Sequence, residues 1–93
     1  MANLELKTLE TSNSTLESEI VSIGDQISRQ KNKQLAVKKN EEYQALENEI
    51  SNLSSTLSLK EDEQIEVLIK IDDARQTAKI AEEKISLKVA DLE

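Results

Sequence analysis

The sequence lacks the residues on which most catalytic and metal-binding sites depend. Its 93 residues include no cysteine, histidine, proline, tryptophan or phenylalanine. Without cysteine and histidine, the chain has no means to form a disulfide, a thiol nucleophile, a common zinc site or an imidazole base. We therefore expect no enzyme activity, no catalytic or metal-binding residue and no cofactor.

Aromatic residues are almost absent too, since Tyr43 is the only one. Compact cores draw heavily on aromatic side chains because each buries a large area. The apolar residues here are mostly aliphatic and are diluted by 33% charged residues, a mixture typical of long exposed helices. A net charge of −7 with few aromatics also fits disorder, but the regular apolar spacing argues against it.

No apolar run approaches the roughly 18 residues that span a bilayer. Residues 1–10 alternate polar and apolar side chains and lack the apolar centre of a signal peptide. We therefore expect a soluble, cytoplasmic protein without membrane contact.

Two heptad repeats, the seven-residue pattern of coiled coils, run along the chain. In the first repeat, positions a and d fall on Leu6, Leu9, Asn13, Leu16, Ile20, Ile23, Ile27, Gln30, Gln34 and Val37. In the second they fall on Tyr43, Leu46, Ile50, Leu53, Leu57, Lys60, Gln64, Val67, Ile71, Ala74, Ala78, Ala81, Ile85, Lys88 and Leu92. The first frame would place its next a position at Glu41, two residues before Tyr43. Coiled coils absorb shifts of three or four residues, so an offset of two predicts a chain reversal.

Between the two repeats, residues 38–42 contain no apolar side chain and resemble helix ends. Asn40 is a candidate N-cap, whose side-chain oxygen would accept from a free N–H of the next helix. Two glutamates follow it and two lysines precede it, as the helix dipoles favour. The predicted fold is an all-α antiparallel two-helix coiled-coil hairpin that self-associates. It is one domain, 1–93, with helix one over about 2–37, a turn over about 38–41 and helix two over about 42–93.

Two stretches poor in helix formers, residues 11–15 and 51–58, keep the heptad phase, so we expect the helices to continue through them. Gly24 costs about 1 kcal/mol relative to alanine but is not expected to form a turn. The polar residues in the seam, the a and d stripe, either specify register or simply tolerate exposure. We expect specification for Gln30 and Gln34 and exposure for Lys60 and Lys88.

Beyond about Ala78, the predicted helix two has no part of helix one beside it, yet its apolar pattern continues. This pattern predicts that the chain is a fragment or that it self-associates. A second apolar cluster lies off the seam in the middle of helix two. The predicted self-association residues are Ile65, Leu68, Ile69, Ile85 and Leu92. The alternative is that these are scattered surface residues of no consequence.

Positive charge concentrates near the turn. Residues 29–39 hold five basic and no acidic residues, whereas residues 41–93 have a net charge of −8. Such a surface would contact an acidic partner, or it is a solvated helix end. Nucleic-acid binding is disfavoured because stacking aromatics and recognised motifs are absent. We call the predicted partner-binding surface the tip; it comprises Lys33, Lys38, Lys39, Asn40, Glu42 and Tyr43. Whether Tyr43 is a contact or a seam residue stays open.

The segment Ala36–Leu46, continued by Glu49 and Ile50, resembles bacterial C4-type zinc-ribbon proteins, which carry a long coiled-coil hairpin before a ribbon of four cysteines. The family pattern is approximately Val-Lys-x-Asn-x-Glu-Tyr-x-Ala-Leu-x-x-Glu-Ile. The matching positions are Lys38, Asn40, Glu42, Tyr43, Ala45, Leu46, Glu49 and Ile50.

This match covers about fifteen residues, and the cysteine-free chain has no ribbon. The resemblance implies that this chain corresponds to the distal part of the family's coiled-coil hairpin. Members of the family are linked to the nitrogen-type alternative sigma factor and to flagellar gene control.

The sequence therefore predicts a non-catalytic protein–protein interaction scaffold linked to transcription regulation. Its partner would be an alternative sigma factor or another transcription component, alongside further copies of the chain. The alternatives are a purely structural, oligomerising rod and weak nucleic-acid binding through the tip.

Overall fold

The structure is a computed structural model that describes the backbone of residues 2–92 and the side chains of residues 4–87. It contains two helices, α1 (Ala2–Ala36) and α2 (Asn40–Leu92), joined by residues 37–39. The helices pack against each other in a rod of 80 × 17 × 14 Å. The predicted all-α helical hairpin is confirmed.

The seam between the helices follows the two heptad frames. From Leu6 to Ala78, every a and d residue is at least partly buried except Tyr43. Leu16, Ile50 and Ile71 are the best covered, each less than a tenth exposed. The core is thin because each helix buries only one narrow stripe against a single partner.

The stretches poor in helix formers are helical throughout, as predicted. The hydroxyls of Thr8, Thr11 and Thr56 each donate to the carbonyl four residues earlier, at 2.9–3.1 Å. These bonds satisfy the hydroxyls within the helix, where each shares its acceptor carbonyl with the backbone N–H four residues later. Gly24 also lies within α1 and has no positive φ.

The reversal is shorter than the predicted turn at 38–41. The Tyr43 N–H donates to the Lys39 carbonyl at 3.1 Å, which makes Lys39 the N-cap position and Asn40 the first helical residue. The prediction that Asn40 caps α2 is therefore wrong. Because Val37 remains partly buried at the end of the seam, only two residues are left to reverse the chain before α2 begins.

Beyond Ala78, α2 continues without α1 beside it. Ala81 and Ile85, although in seam positions, are exposed, Ile85 by 64%. The side chains of Lys88 and Leu92 lie outside the described residues. In the part of the chain that the structure describes, no helix is long and apolar enough to cross a membrane.

Candidate interaction surfaces

Three glutamine side chains make hydrogen bonds between the helices. Gln64 Nε2 donates to Asn13 Oδ1 at 3.2 Å, Gln30 Nε2 to Glu49 Oε1 at 3.2 Å, and Gln34 Nε2 to Glu47 Oε2 at 2.6 Å. Each bond forms at one alignment of the helices, because a shift of one residue would separate donor from acceptor. The contacts of Gln30 and Gln34 agree with a role in register, while the pairing of Asn13 with Gln64 was not predicted.

Lys60 forms an ion pair between the helices, whereas the prediction was that its side chain merely tolerates exposure in the seam. Its Nζ lies 2.8 Å from Glu19 Oε2, and the two side chains are 31% and 42% exposed. The hydrogen bond to Glu19 raises the pKa of Lys60 above its usual 10.5, assisted by the charges of Glu19 and Glu63 and opposed by burial. The long lysine stem lies along the seam, and its ammonium group reaches the carboxylate beside it.

The tip gathers basic side chains that form no ion pair with any acidic side chain among residues 4–87. Among the described residues, ion pairs join Lys60 to Glu19 and Arg75 to Glu10, and none involves the five bases of residues 29–39. Lys33, Lys38 and Lys39 are all exposed. Their charge is therefore available to a partner.

Two shallow grooves bring the six predicted tip residues together. One, of about 540 Å³, is lined by Lys33, Ala36, Val37, Lys38, Glu42, Ala45 and Leu46. The other, of about 340 Å³, is lined by Val37, Lys38, Lys39, Asn40 and Tyr43. Tyr43 is 44% exposed, so its side chain contributes more to the surface of the tip than to the packing of the seam.

The prediction of the tip missed its apolar residues. Val37 and Leu46 contribute to the larger groove, and Leu35 beside it is 86% exposed. The heptad frame contained the signal for Leu35, which falls at an outward position of α1 and points away from α2. The tip thus combines positive charge with aliphatic surface.

The predicted self-association residues do not form one surface in the structure. Ile65, Leu68 and Ile69 are each about half-exposed and lie together on the outside of α2. Ile85 lies separately on the part of α2 that extends beyond α1. Of the remaining member, Leu92, the side chain lies outside the described residues.

Within the described residues, no three His, Cys, Asp or Glu side chains come close enough to hold a metal ion. No protein-family model matches the chain, and comparisons with curated proteins and with solved structures find no match either.

Proposed function

We propose that this chain is a non-catalytic, cytoplasmic protein–protein interaction scaffold whose tip binds an acidic partner protein. The observation that carries the proposal is the set of exposed bases at residues 29–39, which form no ion pair with the other described side chains and lie at one end of the rod. The antiparallel helices hold this charge at a fixed place, and the hydrogen bond from Gln34 to Glu47 ties the helices together just behind it.

The apolar groove at the tip favours a protein over a bare phosphate. A phosphate group would use only the lysines, whereas Val37 and Leu46 offer aliphatic surface between them. A partner that inserts an aliphatic side chain here and surrounds it with carboxylates would use both features. That arrangement has the apolar centre and charged rim common in protein interfaces.

The resemblance to C4-type zinc-ribbon proteins supports a transcription component as the partner, with the nitrogen-type alternative sigma factor as the first to test. The experiment measures retention of that purified sigma factor on the immobilised chain. Lys38→Glu with Lys39→Glu should abolish retention, and Tyr43→Ala should weaken it, because these changes alter the tip and leave the seam intact.

The matched control is Lys79→Glu with Lys84→Glu, two exposed lysines of α2 far from the tip. Equal loss in the control would assign the effect to net charge and remove the tip from the account. If the sigma factor is not retained by the unaltered chain, a photocrosslinker placed at Tyr43 identifies the partner that meets the tip. A tip that crosslinks to nothing in the cell contradicts the proposal.

A second candidate function is that of a structural rod that spaces or oligomerises attached domains. The 80 Å length and the exposed Ile65, Leu68 and Ile85 favour it. Substitution of Leu68 by glutamate distinguishes the two functions, because it should lower the mass in sedimentation and leave partner retention unchanged if the rod assembles through this patch.

A further inference from the structure

The seam changes from aliphatic to polar as it approaches the tip. The last three a and d positions of α1 before the reversal are Gln30, Gln34 and Val37. We call residues 28–49 the distal segment; it contains the whole tip. Its aliphatic seam residues are Val37 and Leu46, and both are only partly buried. The part of the seam that holds the distal segment closed therefore consists mostly of amide groups.

Gln30 is the weakest point of this part of the seam. Its Nε2 donates to Glu49 Oε1 at 3.2 Å, but its Oε1 is buried and accepts no hydrogen bond from the described residues. A buried polar atom without a partner carries the full penalty of its lost hydration. Among the described side chains, no other buried oxygen or nitrogen lacks a partner. Separation of the helices at this point would return the oxygen to water.

The hydrogen bonds of Gln34 fix the alignment of the helices more than they stabilise the closed form. Gln34 Nε2 donates to Glu47 Oε2 at 2.6 Å and to the Tyr43 carbonyl at 3.5 Å. Glu47 and Glu49 are both exposed, so water takes the place of the glutamine amide on each carboxylate when the helices separate. Because the open form keeps hydrogen bonds to solvent, the net stabilisation from such a bond is only a small part of its strength.

Aliphatic side chains hold the adjoining part of the seam. Four consecutive a and d positions of α1 and three of α2 are occupied by Leu16, Ile20, Ile23, Ile27, Ile50, Leu53 and Leu57. We call these seven residues the central seam. All are at least partly buried, and Leu16 and Ile50 are less than a tenth exposed. Because burial of aliphatic surface is the main source of stability in a seam, the central seam can stay paired when the distal segment separates.

The two helical parts of the distal segment depend on each other to remain helical. Residues 28–36 of α1 and 40–49 of α2 are each shorter than the roughly 12–15 residues at which an isolated helix is marginally stable. Each is continued by a paired helix at one end only, since the other end meets the reversal. Separation of the helices should therefore also release helical backbone hydrogen bonds in both parts.

We infer that the distal segment opens as one unit, as a minor state, while the central seam stays paired. The consequence for binding rests on the proposed function of the tip. Val37 and Leu46 line the larger groove and are partly covered in the closed form. Opening uncovers both, so an aliphatic side chain of the partner gains surface that the closed groove does not offer. The partner therefore binds the open form, and its apparent affinity is reduced by the small fraction of chains that are open.

Amide hydrogen exchange of the isolated chain tests the opening without any partner. The amides of residues 31–36 and 44–49 should exchange at similar rates, at least about tenfold faster than those of residues 16–23 and 53–57. Low denaturant should accelerate them less, because a local opening exposes less surface than unfolding of the whole chain. Equal rates with equal dependence on denaturant in both groups would show that the segment opens only with the whole hairpin, which overturns the inference.

Two substitutions should move the opening in opposite directions. Gln30→Leu removes the buried unpartnered oxygen and adds aliphatic surface beside Ile27, so exchange in the distal segment should slow by about tenfold. Val37→Ala removes one of the two aliphatic contacts and should accelerate it by about tenfold. Neither change should alter exchange at residues 16–23. Distal rates that ignore both substitutions contradict the opening.

The retention experiment with the purified sigma factor tests the consequence for binding. Gln30→Leu should raise the Kd by the same factor by which it slows exchange, because the open form becomes rarer by that factor. An unchanged or lower Kd would show that the partner binds the closed form and would overturn this part. If the tip binds nothing, this part fails with the proposed function, while the exchange rates still decide whether the segment opens.

The matched control replaces the other amide pair of the seam, in Asn13→Leu with Gln64→Leu. These two side chains bond to each other at 3.2 Å, outside the distal segment. The double change makes the seam more aliphatic at a distance from the tip, so distal exchange and partner Kd should stay within about twofold of the unaltered chain. Distal exchange that slows as much as in Gln30→Leu would mean that the segment has no opening of its own, and the inference fails.

Discussion

The amide of Gln64 donates a hydrogen bond to the side-chain oxygen of Asn13, at 3.2 Å, across the seam and over 51 residues of sequence. Both residues occupy a positions, one in each heptad frame, and both are partly buried. Polar pairs at such positions cost stability relative to aliphatic ones but favour one alignment of the helices. We therefore regard this pair as a determinant of register in the hairpin.

The pair should show measurable coupling in a double-mutant cycle. We expect Asn13→Ala and Gln64→Ala to interact by about 1 kcal/mol, because each single change leaves a partly buried amide without its partner. Denaturant unfolding of the four chains measures the coupling. Strictly additive effects would show that the hydrogen bond does not contribute to stability.

Substitutions at equivalent heptad positions should separate the paired part of α2 from the unpaired part. Ile50 and Ile85 both occupy a positions, but Ile50 is 7% exposed and Ile85 64%. Ile50→Ala should lower the free energy of unfolding by about 2–3 kcal/mol, and Ile85→Ala by less than about 0.5 kcal/mol. Chemical denaturation at a concentration that keeps the chain monomeric provides both values. Similar losses would mean that a partner covers Ile85.

The ion pair of Lys60 with Glu19 predicts a dependence of stability on alkaline pH. The pKa of Lys60 is raised in the folded chain, chiefly by its hydrogen bond to Glu19, so the folded state holds this proton more tightly than the unfolded state. The stabilisation is complete below the usual pKa of 10.5 and is lost as pH rises through the raised pKa. Lys60→Met should remove this part of the alkaline decline, as measured by denaturant unfolding from about pH 9 to about pH 11.5.

The control for that measurement is Lys79→Met, which removes an exposed lysine that forms no ion pair among the described residues. Its alkaline decline should match that of the unaltered chain. A Lys60→Met variant with the same decline would show that the ion pair is not maintained in solution.

Binding of duplex DNA should be weak and should disappear near physiological salt. The five bases of residues 29–39 set an upper limit of about five phosphate contacts, so affinity should fall roughly 500-fold between 50 and 200 mM salt. Fluorescence anisotropy with labelled duplex measures this dependence. Tight binding at 150 mM salt would favour the nucleic-acid alternative over a protein partner.

The sequence was most informative where a single physical rule decides the outcome. The apolar period sets which residues enter the seam, and the offset between Val37 and Tyr43 predicts the reversal. Local propensity was a poorer guide at Asn40, because the end of the seam at Val37 determines where the chain turns. Individual partners such as Lys60 and Glu19 depend on the axial alignment of two helices to within about one residue, which heptad periodicity alone does not set.

The chain reversal is the central claim, and a spin-label distance tests it most directly. Labels on Ser18→Cys and Asp62→Cys, diluted with unlabelled chain, report the separation of two outward positions at similar height in the hairpin. The account predicts roughly 20 Å, about two helix diameters, whereas one continuous helix would separate the labels by roughly 66 Å at 1.5 Å per residue. A distance near 20 Å supports the reversal at residues 37–39 and the exposed tip that it creates. A distance near 66 Å would contradict the hairpin and the tip that depends on it.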